Sequence, residues 1–233
     1  MGKMSINDKD CRDTFDIYIK GYVIGSLPIK VIKDTVPQME GSIIYGREID
    51  PRPIAVECQL NNNSPESKLN LLMIELMNTC RLVFAREPDK FFYADYEGSF
   101  EPENIGNLKT FTLPFICNDP FKYAIEETRL GFGQSTFNLT NNGTWKAKPT
   151  ITITANSSQV SLVNKHNGQS FVINNISPGD IIEIDVKTMD VLINGDDENT
   201  EYAGDFIELE SGVNSFSGSG YSQIEFVYHD TYA

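Results

Sequence analysis

Apolar and polar residues alternate along most of this chain. From Thr14 to Val23 (TFDIYIKGYV) the residues Phe15, Ile17 and Ile19 share one face, and from Ile54 to Leu60 (IAVECQL) so do Ile54, Val56, Cys58 and Leu60. A period of two is the mark of a half-buried strand. One segment changes period. After Asn61-Asn62-Asn63, Ser64 supplies a cap and Pro65 a first helical position, and Leu69, Leu72, Met73, Leu76 and Cys80 then recur every three or four residues. That spacing predicts one amphipathic helix of about four turns. Its apolar stripe suits packing against a sheet, with a partner groove as the alternative reading.

Strands are predicted at Arg81 to Ala85 and Phe91 to Tyr96, joined by a turn at Glu87-Pro88-Asp89-Lys90, and at Leu108 to Cys117. Pro114 in the last of these predicts an edge or a bulge, because proline cannot donate to a ladder. Asn118-Asp119-Pro120 then closes a first domain, and Tyr123 to Gly133 reads as a mixed connector. From Pro149 onward short strands follow one another: 150–154, 160–163, 170–173, 180–186, 191–193, 206–209, 214–216 and 224–228. Turns at Asn167-Gly168, Pro178-Gly179, Asn194-Gly195 and Gly218-Ser219-Gly220 separate them. Short, regularly spaced strands with such turns predict a sandwich or jelly roll.

Composition narrows the function classes. Hydrophobic residues make up 40%, enough for a packed core. The net charge is −14, which argues against a general phosphate-binding surface and against specific nucleic-acid binding. The imbalance is uneven: residues 1–125 carry 14 basic and 18 acidic side chains, residues 126–233 carry 5 and 15. This suggests two bodies in different surroundings, or simply an acidic, solubilising surface. Cys11, Cys58, Cys80 and Cys117 lie far apart, and His166 and His229 are remote from them, so no zinc site is expected and the thiols read as reduced and buried. No secretory signal and no apolar run of roughly 20 residues is visible, so no membrane association is expected.

Little in the sequence points to catalysis. His166 falls in a predicted turn and His229 near the C-terminal residues, neither beside a nucleophile motif. Gly131-Phe132-Gly133 and Gly218-Ser219-Gly220 lack the helix a phosphate loop needs and read as turns. Asp196-Asp197-Glu198, with Asp190 and Glu201 near, offers oxygen ligands but not calcium-loop spacing, and a charged hairpin tip is the plainer reading. No catalytic residue, cofactor or metal is expected.

Several short motifs occur in a particular order. Gly46-Arg47-Glu48 comes first. The helix leads to Arg81-Leu82-Val83-Phe84 and Phe91-Phe92-Tyr93-Ala94, and FTLPFICNDP follows with Phe115, Cys117, Asp119 and Pro120. Then come Asn141-Asn142-Gly143-Thr144, Pro149-Thr150-Ile151-Thr152-Ile153, DIIEID, Asn194-Gly195 and Gly212-Val213-Asn214. In this order they resemble the siphophage tail-component family, the distal tail proteins of long non-contractile phage tails. One departure is Ile49 after Glu48, where many members have glycine.

The resemblance implies a mainly β fold: an N-terminal β-barrel or sheet domain with one α-helix, and a C-terminal galectin-like β-sandwich. Residues 1–125 would form a ring-building, tail-tube-like domain, 126–142 a connector and 143–233 a peripheral sandwich. It implies a non-enzymatic virion protein, assembled in the bacterial cytoplasm as a homo-hexameric ring of the baseplate hub. The ring would meet tail-tube, tape-measure, tail-tip and receptor-binding proteins. The stretch Ile29 to Ile44 is the candidate for part of the ring contact, a plain exposed hairpin being the alternative. A carbohydrate-binding adhesin, a tail-tube subunit and a glycan-cleaving enzyme are the competing functions.

Overall fold

A computed structural model describes all residues except 1–2, 36, 39 and 197–200. The chain divides into two compact units, Met1–Lys122 with Ala233, and Tyr123–Tyr232.

The first unit contains β1 (Met4–Ile6), β2 (Lys9–Asp10), α1 (Cys11–Phe15), β3 (Ile17–Ile24), β4 (Ile29–Asp34), β5 (Ile43–Ile49) and β6 (Arg52–Asn61). Then follow α2 (Glu66–Leu76), β7 (Cys80–Phe84), β8 (Glu87–Tyr96), β9 (Glu103–Ile105) and β10 (Leu108–Cys117). Its main sheet runs β8-β10-β6-β3, and β1 and β7 extend it from β8. The alternation in β6 is strict: Ile54, Val56, Cys58 and Leu60 are buried, and Arg52, in phase with them, is buried too. They meet Ile17, Ile19, Leu72, Leu82, Phe111 and Phe115 in one core.

Several expectations shift by a few residues. The helix is α2, which ends at Leu76; Cys80 belongs to β7. Pro65 occupies the cap position with an extended backbone, and the Ser64 hydroxyl bonds to Asp16 rather than capping. A second, short helix, α1, interrupts the predicted first strand. Asp10 caps it by accepting from the backbone N–H groups of Arg12 (2.9 Å) and Asp13 (3.1 Å), and Asp16 ends it at φ 60°. The hairpin after α2 turns at Ala85-Arg86, so Glu87 to Lys90 belong to β8 instead of to the turn. Pro114 stays in register with Ala55, without a bulge. On the other side of β10, pairing with β9 stops at Thr110 and pairing with β8 starts at Phe115, so the missing N–H falls at a local edge.

The second unit continues with β11 (Lys122–Phe132), β12 (Thr136–Asn141), β13 (Thr150–Ala155), β14 (Gln159–Asn164), β15 (Ser170–Asn174), β16 (Ile181–Asp185) and β17 (Asp190–Ile193). The last strands are β18 (Glu201–Gly204), β19 (Gly212–Ser219) and β20 (Tyr221–Tyr232). One sheet has the order β12-β19-β14-β15-β18; strands β17-β16-β13-β20-β11 lie side by side in the other. Alternate residues of both, among them Leu139, Ile151, Ile153, Leu162, Phe171, Ile184, Phe216 and Phe226, form a single core, which makes this unit a sandwich. The segment 126–142 was expected to be a connector, yet it forms most of β11 and all of β12. Gly131 and Phe132 therefore lie in a strand instead of a turn. Conversely, 206–209 carries only an isolated bridge between Ala147 and Leu209 in place of the predicted strand. Among the described residues, no helix is long and apolar enough to cross a membrane.

Candidate assembly interface

Strands β4 and β5 form a two-stranded sheet of their own, in register from Ile29↔Ile49 to Asp34↔Ile43 with a bulge at Ile32/Lys33. Every residue of β4 is exposed. Ile29 (61% exposed), Ile44 (54%) and Tyr45 (66%) stand in solvent with Val31, Ile32 and Ile43. The base of this arm is tied to the first unit: Gly25 N–H donates to the Pro53 carbonyl (2.9 Å) and Asp50 N–H to that of Pro28 (3.0 Å). The cross-strand pair Lys30–Glu48 (3.4 Å) is exposed and holds the ribbon only weakly. An isolated hairpin is marginally stable in water, and a contiguous exposed apolar patch marks an interaction surface. Burying such a side chain contributes roughly 1.5–3 kcal/mol. Gly46 and Arg47 lie on this arm, opposite Ile32 and Val31.

A second apolar patch lies on α2. Leu72 and Leu76 point into the core, while Leu71, Met73, Ile74 and Met77 (79% exposed) face solvent.

The other motif residues sort into structural roles. Phe115 and Cys117 are buried at the end of β10, opposite Ile54 and Arg52. Asp119 follows in a bend, and Pro120 is buried. Pro149 is buried where its carbonyl accepts from Val186 N–H (3.2 Å). Asn194 and Gly195, at φ 53° and 88°, make the tight turn after β17, and Asn194 Nδ2 donates to Asp180 (2.9 Å). Both positive φ values suit an Asn-Gly pair.

Four motif residues gather at one end of the sandwich: Asn141, Gly143, Gly212 and Asn214. Asn141, in register with Gly212, donates to the carbonyls of Trp145 (2.8 Å) and Leu209 (3.0 Å) and accepts from Gly143 N–H (2.9 Å). Asn214 accepts from Glu210 N–H (3.0 Å) and donates to the Glu210 carbonyl (2.8 Å). Buried Asn164 joins the network, donating to Asn214 Oδ1 (3.0 Å) and the Glu208 carbonyl (3.2 Å). These amides serve the backbone of 208–210, where the sheet is reduced to the single bridge between Ala147 and Leu209. Gly143 is required by space, since a Cβ there would stand 2.1 Å from the Thr231 carbonyl oxygen. Nothing in the hydrophobic pattern marks Asn164.

Burial desolvates the thiols and pushes Cys11 and Cys117 up to about 12 and Cys80 to about 11. Such thiols are poor nucleophiles. His166 sits in a turn, and His229 Nδ1 lies 3.3 Å from the Glu126 carbonyl. Among the described residues, no group of His, Cys, Asp and Glu is placed to hold a metal; Asp197 and Glu198 lie outside them.

The chain thus combines a small α-containing β unit that bears an exposed apolar arm with a β-sandwich. Residues 15–117 match the phage tail protein RIFT-related domain and 142–232 the siphovirus-type tail component, C-terminal domain. The distal tail protein of Bacillus phage SPP1 is 26% identical over 229 residues, covering 91% of this chain and 89% of that protein. The crystal structure of SPP1 Dit superposes with a TM-score of 0.78 at 16% identity over 100% of both chains. That protein is described as a paradigm of the hub adsorption apparatus in phages infecting Gram-positive bacteria. A chain of the phage P2 baseplate in its Ca-activated conformation aligns with a TM-score of 0.53 at 8% identity over 98% of each. The chain belongs to the siphophage tail-component family, as a distal tail protein.

Proposed function

We propose that this chain is the structural hub of a siphophage baseplate, a virion protein whose copies close into a ring between the tail tube and the tail tip. The observation that carries the reading is the β4–β5 arm, which exposes six large apolar side chains on a ribbon with no further sheet partner among the described residues. A contact between unlike patches closes into a ring when the rotation fits, and the arm supplies one of the two patches. The ring is a hexamer, with residues 1–125 building it and 143–233 facing outward to receptor-binding parts. Tape-measure and tail-tip proteins meet its faces. The role is non-enzymatic; the raised thiol pKa values and the surroundings of both histidines support this. An acidic chain of net −14 lets DNA pass without trapping it.

The test is solution mass by light scattering across protein concentration, with negative-stain imaging of the same peak. Rings are expected from the natural chain, and folded monomers from the Ile44→Glu/Tyr45→Glu double variant. Stacked tubes would assign the chain to the tail tube instead. A chain that stays monomeric both alone and with its cognate tail-tube protein would overturn the reading.

A further inference from the structure

The first unit contains a cavity of about 400 Å³ that has no part in the assembly reading. Its walls come from the end of β3, the segment Gly25 to Leu27 that leads into the arm, and the β7–β8 hairpin. Four basic side chains line it, Arg52, Arg86, Lys90 and Lys122, out of 19 in an acidic chain. The only carboxylate side chain among the lining residues is Glu87, held by Lys122 (3.0 Å) and Lys90 (3.6 Å). Ala233 also contributes to the lining.

Arg52 is the unusual member. It is only 4% exposed, and its Nε has no hydrogen-bond partner among the described residues. Its guanidinium lies over Phe92 (5.7 Å to the ring centroid), and that of Arg86 over Tyr22 (5.8 Å). Burying a cation with an unsatisfied donor is costly, and natural interiors keep such a group where something answers it. A guanidinium matches a planar oxyanion through paired N–H donors. Tyr22, Phe84 and Phe92 supply an apolar wall beside it.

We propose that this cavity is a binding site for a carboxylate carried on a small apolar or aromatic body. The carboxylate lies against Arg52 and Arg86, and the apolar part rests on the aromatic wall. A planar carboxylate suits the paired N–H donors of a guanidinium, and Glu87, ion-paired with Lys90 and Lys122, offsets only one of the four positive charges.

The test uses the full-length chain with benzoate as the probe, benzamide as its neutral counterpart and phenyl phosphate as the dianion, by calorimetry and amide NMR at constant ionic strength. Benzoate is expected to saturate, to shift the amides of Tyr22, Gly25 to Leu27 and Arg86 to Phe92, and to bind more tightly than either counterpart. Arg86→Gln, at an exposed position, and Arg52→Gln, checked for folding by circular dichroism, should each weaken benzoate by about tenfold, the loss of one charge-assisted contact. Absence of saturable benzoate binding would overturn the proposal, as would benzamide binding equally well, or an unchanged affinity in Arg86→Gln. Tighter binding of phenyl phosphate would refute the carboxylate assignment.

Discussion

Two regions of this molecule invert the usual placement of polarity. On the β4–β5 arm, Ile29, Ile44 and Tyr45 face solvent; at one end of the sandwich, Asn141, Asn164 and Asn214 are buried. Each inversion has a different cause. The buried amides answer a local need, since the backbone between Phe206 and Gly212 leaves the sheet and its N–H and C=O groups must find partners inside the fold. The exposed side chains of the arm answer nothing within their own unit. One region is satisfied within the folded chain, and the other leaves its apolar side chains in solvent.

The sharpest way to break this contrast is at the sandwich end. Gly143→Ala places a Cβ against the Thr231 backbone and should destabilise the protein by more than about 4 kcal/mol, read by urea denaturation. Full stability would mean that this loop packs differently. Asn214→Ala strips the Glu210 N–H and C=O of their partners inside the sandwich and should cost about 2–4 kcal/mol by the same measurement. The arm should respond the opposite way. Ile44→Glu should change stability by less than about 0.5 kcal/mol, as surface substitutions do, while removing rings from micrographs. A large loss of stability would show that the arm packs within its own chain.

Two milder tests concern the core of the first unit. Burial raises Cys11, Cys80 and Cys117, so a thiol reagent at pH 8 should label the native chain slowly and the urea-unfolded chain fast. Glu75 is held below the ordinary carboxylate value, chiefly by its hydrogen bond from Lys9 (2.5 Å) and also by that from Asn7 (3.0 Å). A depressed folded pKa contributes stability that is present above the unfolded value and is lost as pH falls through the folded one. Glu75→Gln should therefore flatten the acid side of the stability profile by a small amount, measured by thermal melts between pH 6 and 3.

Much of this was legible in the residues. The alternation at Ile54 to Leu60 and Thr150 to Thr154 reappears as β6 and β13. Arg52 was legible in principle: counting back by two from Ile54 turns it inward, an unusual place for an arginine. Other elements were not legible. The short helix α1 depends on Asp10 reaching two N–H groups, and β11 has no buried residue to give it a period, whereas β12 does alternate, with Phe137, Leu139 and Asn141 inward. Asn164 looks like a turn residue beside Lys165 and His166; only the arrival of Asn214, fifty positions later in sequence, makes it part of a core network.

By itself the sequence determined the mainly β class, the change of period at α2, the Asn194-Gly195 turn and the burial of the thiols. These follow from side-chain periodicity and from backbone angles that few residues adopt, both local properties. Only the tertiary structure decided that β4 and β5 form a two-stranded sheet among the described residues, that three asparagines far apart in sequence meet around one irregular segment, and that four basic side chains line one cavity. Such features arise from long-range strand order, and strand order depends on which apolar faces find one another, not on any one segment's own pattern.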